Sequence, residues 1–260
     1  MKKLLLCLCT ALLSAAVASP CFAADSPWTG TWKENLSKSK LAGSTVVITK
    51  TATGYHFTSG VVSYDFALDG KPVTTAGTGT IAYMAAPGGA IDVTQTANGV
   101  VILKQHRTFS ADGKLMTLTN TSFAADGTTS TSETVRKRTS GTTGLVGEWV
   151  NAKVTETEPS VMTTAVKGDM LHMQFLHSKV ALDAKLDGTD APVSGPRVSP
   201  GSTSAYKSVS PAKLTYTNKL NGKVMSQGVM MLSADGKTIT DESWIPGKEA
   251  EKTVEVYEKQ

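Results

Sequence analysis

An all-β protein built as two tandem antiparallel up-and-down β-barrels of about eight strands each is the fold the sequence predicts, and three observations predict it. Threonine, a β-branched hydroxyl residue suited to a half-solvated pleated surface, occurs 36 times in 260 residues. Short alternating runs of β-branched and aromatic residues recur along the chain, separated by Asx-Gly pairs. A set of markers in the first half returns in the second half in the same order. With 40% hydrophobic residues and 23 glycines, about half the chain is apolar or glycine, which excludes a disordered polymer.

The N-terminus stands apart. Lys2 and Lys3 precede an uncharged stretch from Leu4 to Ala18, and small residues follow at Ala23 and Ala24, the charged, apolar and cleavable order of a secretory signal. Residues 1–24 are expected to leave on export, placing the mature protein in the periplasm or outside the cell. A buried N-terminal helix and a lipid anchor at Cys21 compete with this reading. The stretch has no polar face for water, and Pro20 precedes the cysteine where a small residue normally stands. Cys7, Cys9 and Cys21 all fall inside the signal, so thiol chemistry, disulfides and cysteine metal sites are not expected after cleavage. Of 26 basic residues two leave with the signal; the remaining 24 face 22 acidic ones, too weak a balance to imply nucleic acid or an anionic membrane as partner. No later apolar run approaches the roughly 20 residues of a spanning helix, so no integral membrane segment is expected.

Two Gly-x-Trp strands open the copies, Gly30-Thr31-Trp32 and Gly147-Glu148-Trp149. Trp149 follows Trp32 by 117 residues, Asp187 of Leu186-Asp187-Gly188 follows Asp69 of Leu68-Asp69-Gly70 by 118, and Asp235 follows Asp112 by 123 within the repeated Ser-Ala-Asp-Gly-Lys. The drift predicts an insertion of five or six residues in the Pro- and Ser-rich stretch Pro192 to Pro211. The small, polar residues 139–144 read as a linker, giving barrels over 25–138 and 145–260. One large barrel with half contributed by each copy is the alternative.

After the Gly-x-Trp strand, the first copy offers strands at Val46 to Ile48, Tyr55 to Phe57, Val61 to Leu68, Ile91 to Thr96, Val100 to Phe109, Leu115 to Phe123 and Thr131 to Arg138. Seven Asx-Gly pairs, at Asp69, Asn98, Asp112, Asp126, Asp187, Asn221 and Asp235, supply the positive φ that hairpin turns favour. An open meander leaves two unpaired edges, and closure removes both. An eight-stranded barrel has an interior that side chains fill or that holds one small ligand. Asn35 to Lys40 is able to form one helical turn over a barrel mouth.

The Gly-x-Trp first strand, the barrel of about 115 residues and a basic residue in the last strand resemble the lipocalin and fatty-acid-binding protein group, the calycins. The run Thr29 to Lys40, with Leu186-Asp187-Gly188 and Val256-Tyr257-Glu258-Lys259, is also similar to small exported bacterial proteins with lipocalin-like domains, which imply no particular activity. The calycin resemblance implies that the strand-one tryptophan plugs the closed end beneath a last-strand cation. Trp32 is then expected to face Lys137 or Arg136, and Trp149 to face Lys259. The chain departs from lipocalins in lacking disulfides and in carrying a second barrel.

Enzymatic chemistry finds no motif. His172 and His177 are five apart, on opposite faces of a strand, so they do not jointly bind metal. His56 and His106 read as surface or core residues. Ser37-Lys38-Ser39-Lys40 contains a Ser-x-x-Lys spacing without its partner motifs, and Asp112 and Asp235 are explained as turn formers. Methionine, which adapts to irregular apolar shapes, is concentrated in the second copy. Met170, His172, Phe175, Met225 and Met230 are therefore the candidate ligand-binding residues. The expectation is an exported, non-enzymatic binding protein whose barrel takes up a small apolar molecule, without cofactor or metal. A structural or protein-interaction module with filled cores, and hence a protein partner, is the alternative.

Overall fold

The computed structural model describes residues 26–41, 45–75 and 77–260. The expected signal and its three cysteines lie outside the described residues. The described chain is all-β, twenty antiparallel strands with a single 3-10 turn at Pro87–Gly89. No described helix is long and apolar enough to cross a membrane.

The first strand, β1 (Gly30–Glu34), is followed by β2 (Thr45–Lys50), β3 (Tyr55–Ser59), β4 (Val62–Phe66), β5 (Asp69–Thr74), β6 (Thr80–Ala85), β7 (Ile91–Ala97), β8 (Val100–Phe109), β9 (Leu115–Phe123), β10 (Thr129–Ser140) and β11 (Gly147–Glu156). The second half holds β12 (Val161–Lys167), β13 (Met170–Phe175), β14 (Val180–Lys185), β15 (Asp187–Ser194), β16 (Ser202–Ser210), β17 (Lys213–Leu220), β18 (Lys223–Leu232), β19 (Thr238–Trp244) and β20 (Thr253–Lys259). Each sheet has ten strands rather than about eight. In the first copy the unforeseen pair is β5 and β6, whose Lys71-Pro72 and surrounding Gly- and Ala-rich stretch hide the β-branched signal.

Strand order corrects the expectation that each copy closes on itself. The C-terminal barrel is sealed by β1, which pairs with β12 and β20, while β11 joins the N-terminal sheet between β10 and β2. The two Gly-x-Trp strands are thus exchanged. The cause is local: residues 139–144 do not separate two bodies but turn the chain from β10 directly into its antiparallel neighbour β11. A hairpin closes a short loop at little entropic cost. Once β11 is held there, the slot between β12 and β20 is left for β1.

Lys259 therefore lies over Trp32, 5.1 Å from the ring centroid, and Arg138 over Trp149 at 4.0 Å. This corrects the pairing of Trp32 with Lys137 or Arg136 and of Trp149 with Lys259. Both indoles are fully buried, and each donates Nε1–H to a carbonyl four residues upstream, Trp28 O at 3.3 Å and Leu145 O at 2.9 Å. Trp32 also donates to Thr164 Oγ1 at 2.8 Å.

Of the Asx-Gly pairs, Asn98 and Asn221, both at φ 50°, begin tight turns between β7 and β8 and between β17 and β18. Asp69-Gly70 and Asp187-Gly188 instead open β5 and β15 beside register shifts, bending the strand rather than closing a hairpin. The predicted insertion is the connection from β15 to β16, longer than that from β5 to β6. Asn35 to Lys40 forms one hydrogen-bonded turn, docked on β20 through the Lys40–Val254 bridge.

The barrels differ at one seam. In the C-terminal barrel β14 and β15 pair through Ala181–Ser194 and Leu182–Val193; the matching β4 and β5 have no ladder between them. Aromatic side chains span that gap instead. Phe66 of β4 stacks on Tyr83 of β6 with centroids 4.0 Å apart, and the Tyr64 and Tyr83 hydroxyls meet at 2.9 Å.

Candidate functional site

Each barrel holds a cavity open at one side, about 510 Å³ in the C-terminal barrel and about 490 Å³ in the N-terminal one. Both fall in the size range of small-molecule sites.

Phe175, Met225 and Met230 line the C-terminal cavity. Met170 and His172 do not. Along β13 exposure alternates, so Leu171 and Met173 point into the core while Met170 and His172 face outward. That placement corrects their assignment as ligand contacts, and His172 Nδ1 is 2.6 Å from Asp183 on the outer surface. The other histidines behave alike, pairing with Asp65, Asp92 and Asp126 at 2.7–2.9 Å. Among the described residues no three His, Cys, Asp or Glu side chains are grouped to hold a metal.

Polar groups give the C-terminal cavity an acidic side. Tyr216 donates to Asp241 Oδ1 at 2.9 Å and stacks on Tyr206 at 5.3 Å. Gly228 permits this, because a Cβ there would stand 2.2 Å from the Tyr216 ring. Burial pushes the Asp241 carboxyl up to about 6. Burial, with the negative charges of Glu34 and Asp241 nearby, pushes Glu255 up to about 7. Tyr257 donates to Glu255 at 3.3 Å.

Among the described residues the N-terminal cavity is lined by apolar side chains, by neutral polar ones such as Gln95 and Gln105, and by two arginines, Arg107 of β8 and Arg136 of β10, without a carboxylate. Arg107 is 4% exposed, and its Nη1 has no hydrogen-bond partner. Its Nε donates to Gln105, whose amide donates to Asn120 at 2.6 Å; Asn120 in turn donates to Ser132 at 3.0 Å. The relay fixes the guanidinium from its Nε side, and Nη1 is sealed from solvent without a partner. Arg107 also lies over the Tyr83 ring at 5.0 Å. Arg136 donates Nε–H to Asn151 of the exchanged strand at 2.9 Å, and burial together with the Arg107 charge lowers its pKa to about 10. Burial holds the Tyr64 phenol above its ordinary value, so it stays a hydrogen-bond donor.

A buried guanidinium without counter-charge is strongly unfavourable. Arginine's planar fork matches carboxylate, sulfate or phosphate oxygens, and charge-assisted bonds of this kind are the strong ones. Arg107 and Arg136 thus set a positive charge beside the apolar wall of this cavity. The sequence reading missed both roles: Arg107 drew no notice, and Arg136 was read as a clasp. The available signal is parity: 136 and 138 share a face of β10, so the clasp residue Arg138 carries Arg136 inward with it. Comparison with known proteins gives no match: no family model, no curated protein and no solved structure is similar to the chain.

Proposed function

We propose that the protein is an exported, non-enzymatic binding module of lipocalin-like character, and that its barrel interior takes up a small, largely apolar molecule bearing an anionic head. The observation that carries this reading is the pair of arginines, Arg107 and Arg136, lining a cavity of about 490 Å³ whose wall holds no acid among the described residues. A filled-core interaction module has no use for such a space.

Calorimetric titration with decanoate and with decanol tests it. Decanoate is expected to bind, decanol at least tenfold more weakly, a difference of about 1.4 kcal/mol. Arg107→Met, which installs the residue type of the matching position in the other barrel, is expected to remove the preference. Equal binding of acid and alcohol removes the anionic head from the proposal; binding of neither removes the proposal.

A further inference from the structure

The cavities of the two barrels approach one another at the connection from β15 to β16. Ser199, in the connection from β15 to β16, lines both of them. A third space of about 330 Å³ lies at the junction, sharing Val62 and Thr75 with the N-terminal cavity and Leu220 and Met225 with the C-terminal one. Hydrogen bonds hold the mouths against each other: Asn98 donates to Pro196 O at 3.0 Å, Lys223 to Val61 O at 3.3 Å, and Arg197 to Ala124 O at 3.0 Å. The inserted loop that distinguishes the second copy is the piece that seats one mouth on the other.

The interior charge is also one-sided. Arg107 and Arg136 stand at the N-terminal end. At the other end the wall carries Asp241 and Glu255, and its Lys219 is engaged by Asp190 at 2.8 and 2.9 Å. An acidic head is drawn to one end and repelled from the other, while the methionine-rich wall between accommodates a chain of no fixed shape.

From this we infer that one chamber spans both barrels and that its occupant is a single long-chain amphiphile, its acidic head on Arg107 and Arg136 and its tail running past Ser199 and Met225 into the C-terminal barrel. The inference rests on the proposed function and adds to it the length of the ligand, its orientation and a stoichiometry of one per chain.

Decanoate and oleate as probes, on the full mature chain, separate the two. Oleate is expected to bind at one per chain and at least a hundredfold more tightly than decanoate. Met225→Trp and, independently, Leu220→Trp should block the passage, weaken oleate and reduce that ratio to tenfold or less. Decanoate binding with no gain for oleate, two oleates per chain, or a ratio untouched by both variants overturns the shared chamber while the anion-binding barrel stands. If neither carboxylate binds, both fall.

Discussion

The two barrels carry the same ladder positions with opposite interiors. Where β7 and β8 pair Ile91 with Arg107, β17 and β18 pair Leu214 with Met230; where β9 and β10 pair Met116 with Arg136, β19 and β20 pair Ile239 with Tyr257. The next inward pair, Leu118 with Thr134, becomes Asp241 with Glu255. Two positions beyond the plug tryptophans, Asn151 answers Glu34. Among the described residues the buried side-chain atoms left without partners are one from each set, Arg107 Nη1 and Glu34 Oε1. Duplication has kept the framework of plug, cation clasp and Asp-Gly turns, and it has freed the lining to diverge. Framework residues repeat from barrel to barrel, whereas the residues that differ between the two interiors include both buried atoms without partners, Arg107 Nη1 and Glu34 Oε1.

Strand exchange makes the strongest test of this division. Trp32→Ala and Trp149→Ala should each cost about 3–5 kcal/mol, the range for large buried aromatics. Hydrogen exchange locates the damage: Trp32→Ala is expected to lower amide protection in β12 and β20 while sparing β9 and β10, and Trp149→Ala the reverse. Loss of protection in β9 and β10 on removing Trp32 would mean that each copy keeps its own first strand.

Acidity separates the barrels next. Asp241 and Glu255 hold protons more tightly folded than unfolded, with folded values of about 6 and about 7. Stability contributed by their protonated forms is complete below about pH 4 and is lost as pH rises through those values, because the unfolded chain then gives up its protons more readily. The groups facing Glu255 are Glu34, Asp241, Glu156 and Tyr257, none of them cationic. The unfolding free energy from denaturant titration should therefore fall between pH 4.5 and 8 by about 4–5 kcal/mol. Glu255→Gln should flatten that slope. An unchanged slope in Glu255→Gln would place the titration elsewhere.

Much of this was legible in the sequence, for reasons that name the rest. Alternation and Asx-Gly turns specify an antiparallel meander, and the drift of markers from 118 to 123 locates the inserted loop. Phe175, Met225 and Met230 line the cavity, as their apolar side chains predict. Met170 and His172 were misplaced because Met170-Leu171-His172-Met173 is apolar on both parities but for one histidine, and a strand shifted by one residue turns every side chain over. Exchange was hidden by the likeness of the copies: either Gly-x-Trp strand presents the same indole and upstream carbonyl. Only the shortness of residues 139–144 distinguishes the two closures. Arg107 was passed over because charge in a strand ordinarily means solvent.

Arg107 yields a prediction of two signs. Burying its guanidinium beside the Arg136 charge opposes folding, and replacing a buried charge by an apolar side chain of similar length is often stabilising by about 1–4 kcal/mol. Arg107→Met is expected to raise the unfolding free energy by about 1 kcal/mol while abolishing the decanoate preference, a trade of function for stability. Gln105 and Asn120 temper the gain, since Gln105 loses its donor. A variant both less stable and unable to bind would make Arg107 a structural member of the relay.

The smallest effect bears on the clasps. A double-mutant cycle of Trp32 with Lys259 should show coupling of about 0.5 kcal/mol, because the lysine is exposed and its ammonium stands 5.1 Å from the ring. The cycle of Trp149 with Arg138 should give about 1 kcal/mol: the guanidinium is closer, at 4.0 Å, and it also ties the β10–β11 turn through the carbonyls of Gly144 and Val146 and the β8–β9 turn through that of Gly113. Crossed cycles, Trp32 with Arg138 and Trp149 with Lys259, should be additive, since each pair lies in different barrels. Coupling in the crossed pairs and none in the direct ones would reverse the exchange at its most local point, the contact between one indole and one cation.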